Sequence, residues 1–174
     1  MSGIIGDNLG RSSGLVKAAS AGGGVTEADM WRITSALSAS SAVITANWEQ
    51  ADAYGWTTLG TGMSESSGIF TFPSTGYWLV SFNGDYEGAN IQYAGIMIMV
   101  TTNNSSYNQY SKKYTSLTDA SDNIFIHNEA IIDVTDTTNV KVKFEQQVAS
   151  AAGSWAGDTN VQRTGVTFIR LADT

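Results

Sequence analysis

Three kinds of side chain in this sequence could do chemistry: the single histidine, two groups of carboxylates and a run of tyrosines. His127 lies in Ile-Phe-Ile-His-Asn-Glu, where strand alternation places it on one face with Phe125 and Glu129. Catalysis by histidine needs a nucleophile and an orienting acid beside it, and the sequence identifies neither. We therefore predict a structural or surface role for His127, no catalytic residues, and a protein that is not an enzyme.

Metal and cofactor sites find little support in the residue types. The chain has no cysteine and one histidine, whereas structural zinc prefers nitrogen and sulfur ligands. Residues 119–123 and 133–137 are rich in oxygen ligands, so calcium is an alternative, but neither segment matches a calcium loop with its terminal glutamate. Turn formation is the plainer explanation of both segments. The glycines at 3–6 and 22–24 lack the lysine of a phosphate-binding loop, and we predict no metal or cofactor.

The tyrosines Tyr107, Tyr110 and Tyr114 stand among polar neighbours. Tyrosine offers a large, rigid, amphipathic contact area, so an exposed cluster would suit a protein or glycan partner. The alternative is a strand whose rings pack against the core or a neighbouring subunit. A plain strand would turn Tyr107 away from the other two, whereas helical spacing would bring all three together, and the sequence leaves the local conformation open.

Composition limits the classes of partner. The 174 residues form one domain, in which only 14% are charged, below the roughly 25% usual for soluble domains. The net charge is −7 and the nine Lys and Arg form no cluster along the sequence, which argues against nucleic acid. The longest apolar run, residues 96–100, is too short to span a bilayer, so no membrane partner is predicted.

The elements that must position these side chains are short strands behind an irregular arm. Residues 1–28 are rich in Gly, Ser and Ala without periodicity and are predicted to form a flexible, glycine-rich N-terminal arm. Residues 29–174 alternate β-rich segments with turn clusters, which indicates an all-β, antiparallel β-sandwich.

In the clearest strand Val140, Val142 and Phe144 should face inward. The predicted strands are 31–35, 43–48, 68–72, 77–85, 94–101, 124–134 with an irregularity inside, 139–146 and 166–171. Residues 36–46 are predicted as strand and loop rather than helix.

One segment resembles a known family. Residues 68–78, Gly-Ile-Phe-Thr-Phe-Pro-Ser-Thr-Gly-Tyr-Trp, are similar to the Gly-x-Phe-x-x-Pro-x-x-Gly-x-Tyr motif of the complement globular-head and tumour necrosis factor (TNF) superfamily. Gly68, Phe70, Pro73 and Gly76 match, and Trp78 stands where the family has Tyr. The resemblance implies a TNF-like jelly roll that assembles as a homotrimer.

A second resemblance concerns the arm and the tryptophans. The Ser-Gly-Ile-Ile-Gly start, Trp31, Trp48 and Trp56, and the segment 60–70 resemble virion proteins of tailed bacteriophages, marine ones especially. This resemblance implies a trimeric decoration, or head cement, protein on the outer surface of the capsid, assembled in the host cytoplasm. Its arm would bind the major capsid protein or another virion protein. The residues expected to attach it are Ile4, Ile5, Leu9, Leu15 and Val16. The alternative is a tail-fibre tip, a trimeric receptor-binding head that recognises host glycan or protein.

Overall fold

The computed structural model describes residues 24–88, 90–119 and 123–174. The five apolar residues expected to attach the arm lie outside these described residues. Within them the chain forms thirteen strands and no helix. The strands are β1 Ala28–Ile33, β2 Leu37–Ser38, β3 Ala42–Val43, β4 Trp48–Gln50, β5 Ser64–Ser66, β6 Ile69–Thr71, β7 Gly76–Glu87, β8 Ile91–Thr101, β9 Asn108–Leu117, β10 Asn123–Val134, β11 Lys141–Val148, β12 Ser154–Trp155 and β13 Gly165–Ala172.

The strands form two antiparallel sheets that face each other. In the first sheet β7 pairs with β10 on one side and with β13 and β12 on the other, and the sheet continues from β13 through β1 to β4. In the second sheet the order is β5, β6, β11, β8, β9, with β3 also paired to β11. The predicted all-β antiparallel sandwich is therefore confirmed.

The core lies between the sheets and is filled by aromatic rings. Phe70, fully buried, meets Trp48 at 5.1 Å, Phe144 at 5.3 Å and Trp31 at 5.4 Å between ring centroids. Val140, Val142 and Phe144 point into this core as predicted, since each is at most 2% exposed. Edge-to-face contacts of this kind add to the free energy of burial.

The structure explains the residue type at three positions of the TNF-like motif. Gly68 has a φ of 81°, and a Cβ there would overlap the carbonyl oxygen of Ile44. Gly76 has a φ of 137° and lies against Arg170 and the backbone of Ala172. Trp78, 1% exposed, packs against Phe72 in the core. The motif therefore builds the strand, turn and strand that join the two sheets.

Two strand predictions were wrong in detail. The chain crosses from the second sheet to the first between β3 and β4, with Asn47 at a φ of 65°, so residues 43–48 do not form one strand. The irregularity expected inside 124–134 is absent, because β10 pairs with β7 in unbroken register from Asn123 to Val134. The strand-and-loop prediction for 36–46 is confirmed by the short strands β2 and β3.

One long side of the sandwich is closed by side chains. β9 and β10 are the edges of the two sheets and lie next to each other. Asn128, fully buried, accepts a hydrogen bond from Ser111 Oγ at 2.6 Å and donates to the carbonyl of Ile96 at 3.3 Å. The Tyr110 hydroxyl donates to the carbonyl of Ile131 at 2.9 Å. These contacts occupy edge groups that could otherwise pair with another chain.

Asp136 orders the turn between β10 and β11, one of the oxygen-rich segments of the sequence. Its carboxylate accepts a hydrogen bond from the backbone N–H of Thr138 at 2.7 Å and another from the side-chain amide of Asn139. The Thr138 hydrogen bond, and then that of Asn139, lower the pKa of Asp136 from its ordinary value of 3.8. The Asp136 carboxylate is thus used by the turn itself.

We predict that the Asp136 turn contributes to acid sensitivity. Because the pKa is lower in the folded state, the contribution is complete above the unfolded pKa and is lost as pH falls through the folded value. Asp136→Asn keeps an acceptor oxygen but does not titrate, so its Tm should fall less steeply than that of wild type below about pH 3.8. Thermal unfolding followed by circular dichroism across this range measures both slopes, and equal slopes would contradict the assignment.

Candidate functional site

His127 lies where alternation predicted, on the solvent face of β10 with Phe125 and Glu129. Its Nδ1 is 2.7 Å from Asn83 Oδ1 on β7, and its Nε2 is 3.4 Å from Glu129 Oε2. Among the described residues, no three His, Asp or Glu side chains are grouped so that they could hold a metal ion. A search of the same residues for a long apolar helix that could cross a membrane finds none.

The solvent face of the first sheet carries a patch of exposed apolar side chains. Register places Ile131, Leu79 and Ile169 in one row across β10, β7 and β13. Ile131 is 53% exposed, Leu171 51% and Tyr77 41%, and a contiguous exposed apolar patch marks an interaction site. We call this patch the apolar face; it consists of Tyr77, Leu79, Ile131, Ile169 and Leu171. Phe125, although exposed, lies opposite Asp85 at the other end of β10 and is not part of it.

Ion pairs within the chain occupy the opposite end of the first sheet, where β7 ends at Glu87. Arg163, in the loop before β13, pairs with Asp85 at 2.8 Å and with Glu87, and the Glu87 hydrogen bond raises the pKa of Arg163 further above its usual range. Arg32, 2% exposed, pairs with Glu49 at 3.1 Å and Asp52 at 2.6 Å. The charged side chains at this end of the first sheet are therefore paired within the described chain. No described residue, in contrast, covers the apolar face.

A β-bulge settles the conformation of the tyrosine run. In the pairing of β8 with β9, Ser111 lies opposite Ile98 but Gln109 lies opposite Met99, so Tyr110 is an extra residue. The extra residue shifts the alternation by one position. Tyr107 and Tyr114 consequently share the solvent face of the second sheet, and Tyr110 turns to the sandwich edge. Neither a plain strand nor a helix gives this arrangement.

Tyr114 forms a corner with a tyrosine that the sequence analysis did not single out. Tyr93 on β8 meets Tyr114 edge to face, with ring centroids 5.4 Å apart and planes at 76°. The Tyr114 hydroxyl donates to Oε1 of Gln147 on β11. Gly95 lies beneath, where a Cβ would overlap the Tyr114 ring. Tyr93, Tyr114 and Gln147 line a pocket of about 390 Å³, which we call the tyrosine pocket.

Tyr107 lies further along the same face and packs beneath a lysine. The ammonium of Lys143 is 4.5 Å from the centroid of its ring, a cation–π distance. The Tyr107 hydroxyl is buried and has no hydrogen-bond partner among the described residues, and burial raises its pKa. Of the three predicted contact residues, the structure thus places Tyr114 in a pocket, Tyr107 on the same face but under Lys143, and Tyr110 at the sandwich edge.

Charge is divided between the sheets in a way the sequence did not indicate. Four of the five lysines of the chain lie on β9 and β11, the two strands that flank β8 in the second sheet. They are Lys112, Lys113, Lys141 and Lys143. Strands β8, β9 and β11 together hold only one acid, Glu145. The second sheet is therefore locally basic in a protein whose net charge is −7.

Comparison with known proteins shows the fold. No protein-family model and no curated protein sequence matches this chain. Among solved structures, Eiger TNF from S. frugiperda is similar, with a TM-score of 0.65, 12% identity, and coverage of 87% of this chain and 96% of that one. Murine APRIL at pH 5.0 is similar with a TM-score of 0.63 and 9% identity, covering 83% of this chain and 98% of that one. The described domain therefore has the TNF-like jelly-roll fold.

Proposed function

We propose that the protein is a non-enzymatic structural head that assembles as a homotrimer through the apolar face. The observation that carries this proposal is the grouped exposure of Tyr77, Ile131 and Leu171, each between 41% and 53% exposed, on one face of the first sheet. Burying such a patch removes apolar area from water, which is the main favourable term in association. The TNF-like fold supports three copies around an axis, the arrangement implied by the sequence motif.

We further propose that the trimer decorates the outer surface of a tailed-phage capsid, after assembly in the host cytoplasm. The described chain begins at Gly24, and Val25, 49% exposed, precedes β1. Ala28 pairs with Ile169 of the apolar face. In a cyclic trimer all three chains would enter the head from the same end, so three arms could bind one surface together. Ile4, Ile5, Leu9, Leu15 and Val16 would supply the apolar contacts to the major capsid protein.

Deletion of residues 1–23 tests the proposed role of the arm. We expect the shortened protein to remain a trimer and to lose affinity for tailless capsid shells by at least about 100-fold, because three linked contacts are removed at once. Co-sedimentation with shells measures the binding. A matched variant keeps the arm length and changes the five apolar residues to Ser; it should lose binding as well. Binding retained by both variants would contradict attachment through the arm.

A second function is favoured by a different observation, the tyrosine pocket on the second sheet. A trimer formed through the first sheet would leave this pocket exposed, as a receptor-binding tail-fibre tip requires. The two functions predict different locations on the particle. Full occupancy on tailless shells supports decoration, whereas block of phage adsorption by the purified head supports the fibre tip.

A further inference from the structure

We propose that the tyrosine pocket binds one sugar ring of an acidic glycan, with the acid group held by Lys112. This inference goes beyond capsid decoration and holds even if the arm binds no particle, since it depends only on the second sheet. It assigns the ring contacts to Tyr93 and Tyr114, the polar contact to Gln147, and the charge contact to Lys112.

The shape of the tyrosine pocket suits a ring of this size. Its volume of about 390 Å³ lies at the small end of the range, roughly 300 to 1,000 Å³, that ligand pockets occupy. Tyr93 and Tyr114 stand at 76° to each other, so they form a corner rather than a slot. A corner receives a puckered ring, whose C–H groups can pack on an aromatic face, better than it receives a planar base that stacks between parallel rings. Gly95 keeps the corner open by letting the Tyr114 ring lie against β8.

The polar groups of the pocket are fixed before a ligand arrives. Gln147 Oε1 accepts the hydrogen bond of the Tyr114 hydroxyl, which holds both side chains. The amide N–H groups of Gln147 and the lone pairs of the Tyr114 oxygen remain able to bind sugar hydroxyls. Few, pre-positioned polar groups on an apolar wall are typical of sites that orient a small ligand.

The charge beside the pocket favours an anionic sugar. The Lys112 ammonium is 5.7 Å from the centroid of the Tyr114 ring, which lines the pocket. Lys143 is engaged by Glu145 at 3.7 Å and by the Tyr107 ring, whereas Lys112 makes no ion pair with a described residue. A carboxylate or sulfate on the bound sugar would supply the missing anion. The negative net charge of the chain opposes longer anionic polymers such as nucleic acid.

The test begins with the full-length protein on an array of acidic and neutral oligosaccharides. Calorimetry then compares tetragalacturonate with its neutral methyl ester, and a sulfated galactan fragment with its unsulfated form, which distinguishes a carboxylate from a sulfate. We expect at least one acidic form to bind about tenfold or more tightly than its neutral partner, with affinity falling as salt rises. A single-stranded oligonucleotide, whose charge comes from phosphodiesters, serves as the nucleic-acid control and should not bind.

Variants tie the binding to the tyrosine pocket. Tyr93→Ala and Tyr114→Ala should each lower affinity at least tenfold, and Lys112→Gln should remove the preference for the acidic form. Tyr54→Ala is the matched control. Tyr54 is 88% exposed in the loop between β4 and β5, so this substitution should leave the affinity unchanged. Unchanged circular dichroism shows that each variant is folded. Three results would each overturn the proposal. They are no binding to any acidic oligosaccharide, a preference for neutral sugars or the oligonucleotide, and equal binding by Tyr93→Ala and wild type.

Discussion

Replacing Ile131 with Asp is expected to convert the proposed homotrimer into a folded monomer of 18.5 kDa. Ile131 is 53% exposed in the separate chain and lies in the middle of the apolar face, opposite Leu79. In an assembly through this face, three new carboxylates would lose their hydration in an apolar contact, at a cost of several kcal/mol each. In the separate chain the new side chain points to water, so the fold should tolerate it.

Val161→Asp provides the matched control for Ile131→Asp. Val161 has the same 53% exposure but lies in the loop before β13, away from the apolar face. Light scattering should therefore give the mass of a trimer for Val161→Asp and that of a monomer for Ile131→Asp, with the same circular dichroism spectrum for both. A trimeric Ile131→Asp protein would show that assembly uses another surface.

Replacing Asp29 with Ala is expected to lower the free energy of unfolding by about 3 kcal/mol, the upper end for hydrogen bonds to a charged group. Asp29 on β1 is fully buried, and its carboxylate serves several donors. They are Met63 N at 2.7 Å, Trp31 Nε1 at 2.8 Å, Met30 N at 2.9 Å, Gln50 Nε2 at 3.0 Å and Thr58 Oγ1 at 3.2 Å. Alanine leaves these donors unpaired in the interior, and each unsatisfied group adds to the cost.

Urea unfolding at one fixed protomer concentration measures the effect of Asp29→Ala, since assembly makes stability depend on concentration. The control is Asp173→Ala, which removes a carboxylate that pairs with Arg170 but whose side chain is 90% exposed. Exposed pairs of this kind contribute about 0 to 1 kcal/mol. Equal effects of the two substitutions would contradict the role assigned to Asp29, which is to fasten the loop between β4 and β5 onto β1.

The sequence predicts the fold well where one physical rule acts alone. Val142 and Phe144 alternate with lysines, and the structure buries them as alternation requires. Gly68 and Gly76 mark backbone conformations that other residues adopt at a cost, so their spacing identifies the turn between strands. Strands of two or three residues, such as β5 and β12, were missed because they are too short to show a period.

The candidate surfaces depend on pairing between distant strands, which a sequence does not display. Tyr114 was singled out by composition, but its partners Tyr93 and Gln147 become visible only when β8, β9 and β11 are in register. The bulge at Tyr110 also decides which tyrosines share a face. Likewise, the lysines at 112 and 141 are distant in the chain and come to lie in one sheet only through the pairing of β9 and β11 with β8. Asp29 gave no signal, because its donors come from four separate segments.

The central claim, a homotrimeric head, is tested most directly by light scattering coupled to size-exclusion chromatography on the unmodified protein at micromolar concentration. The account predicts one species with three times the 18.5 kDa mass of the chain, unchanged on moderate dilution. A stable species with the mass of one chain, or of two, would contradict it.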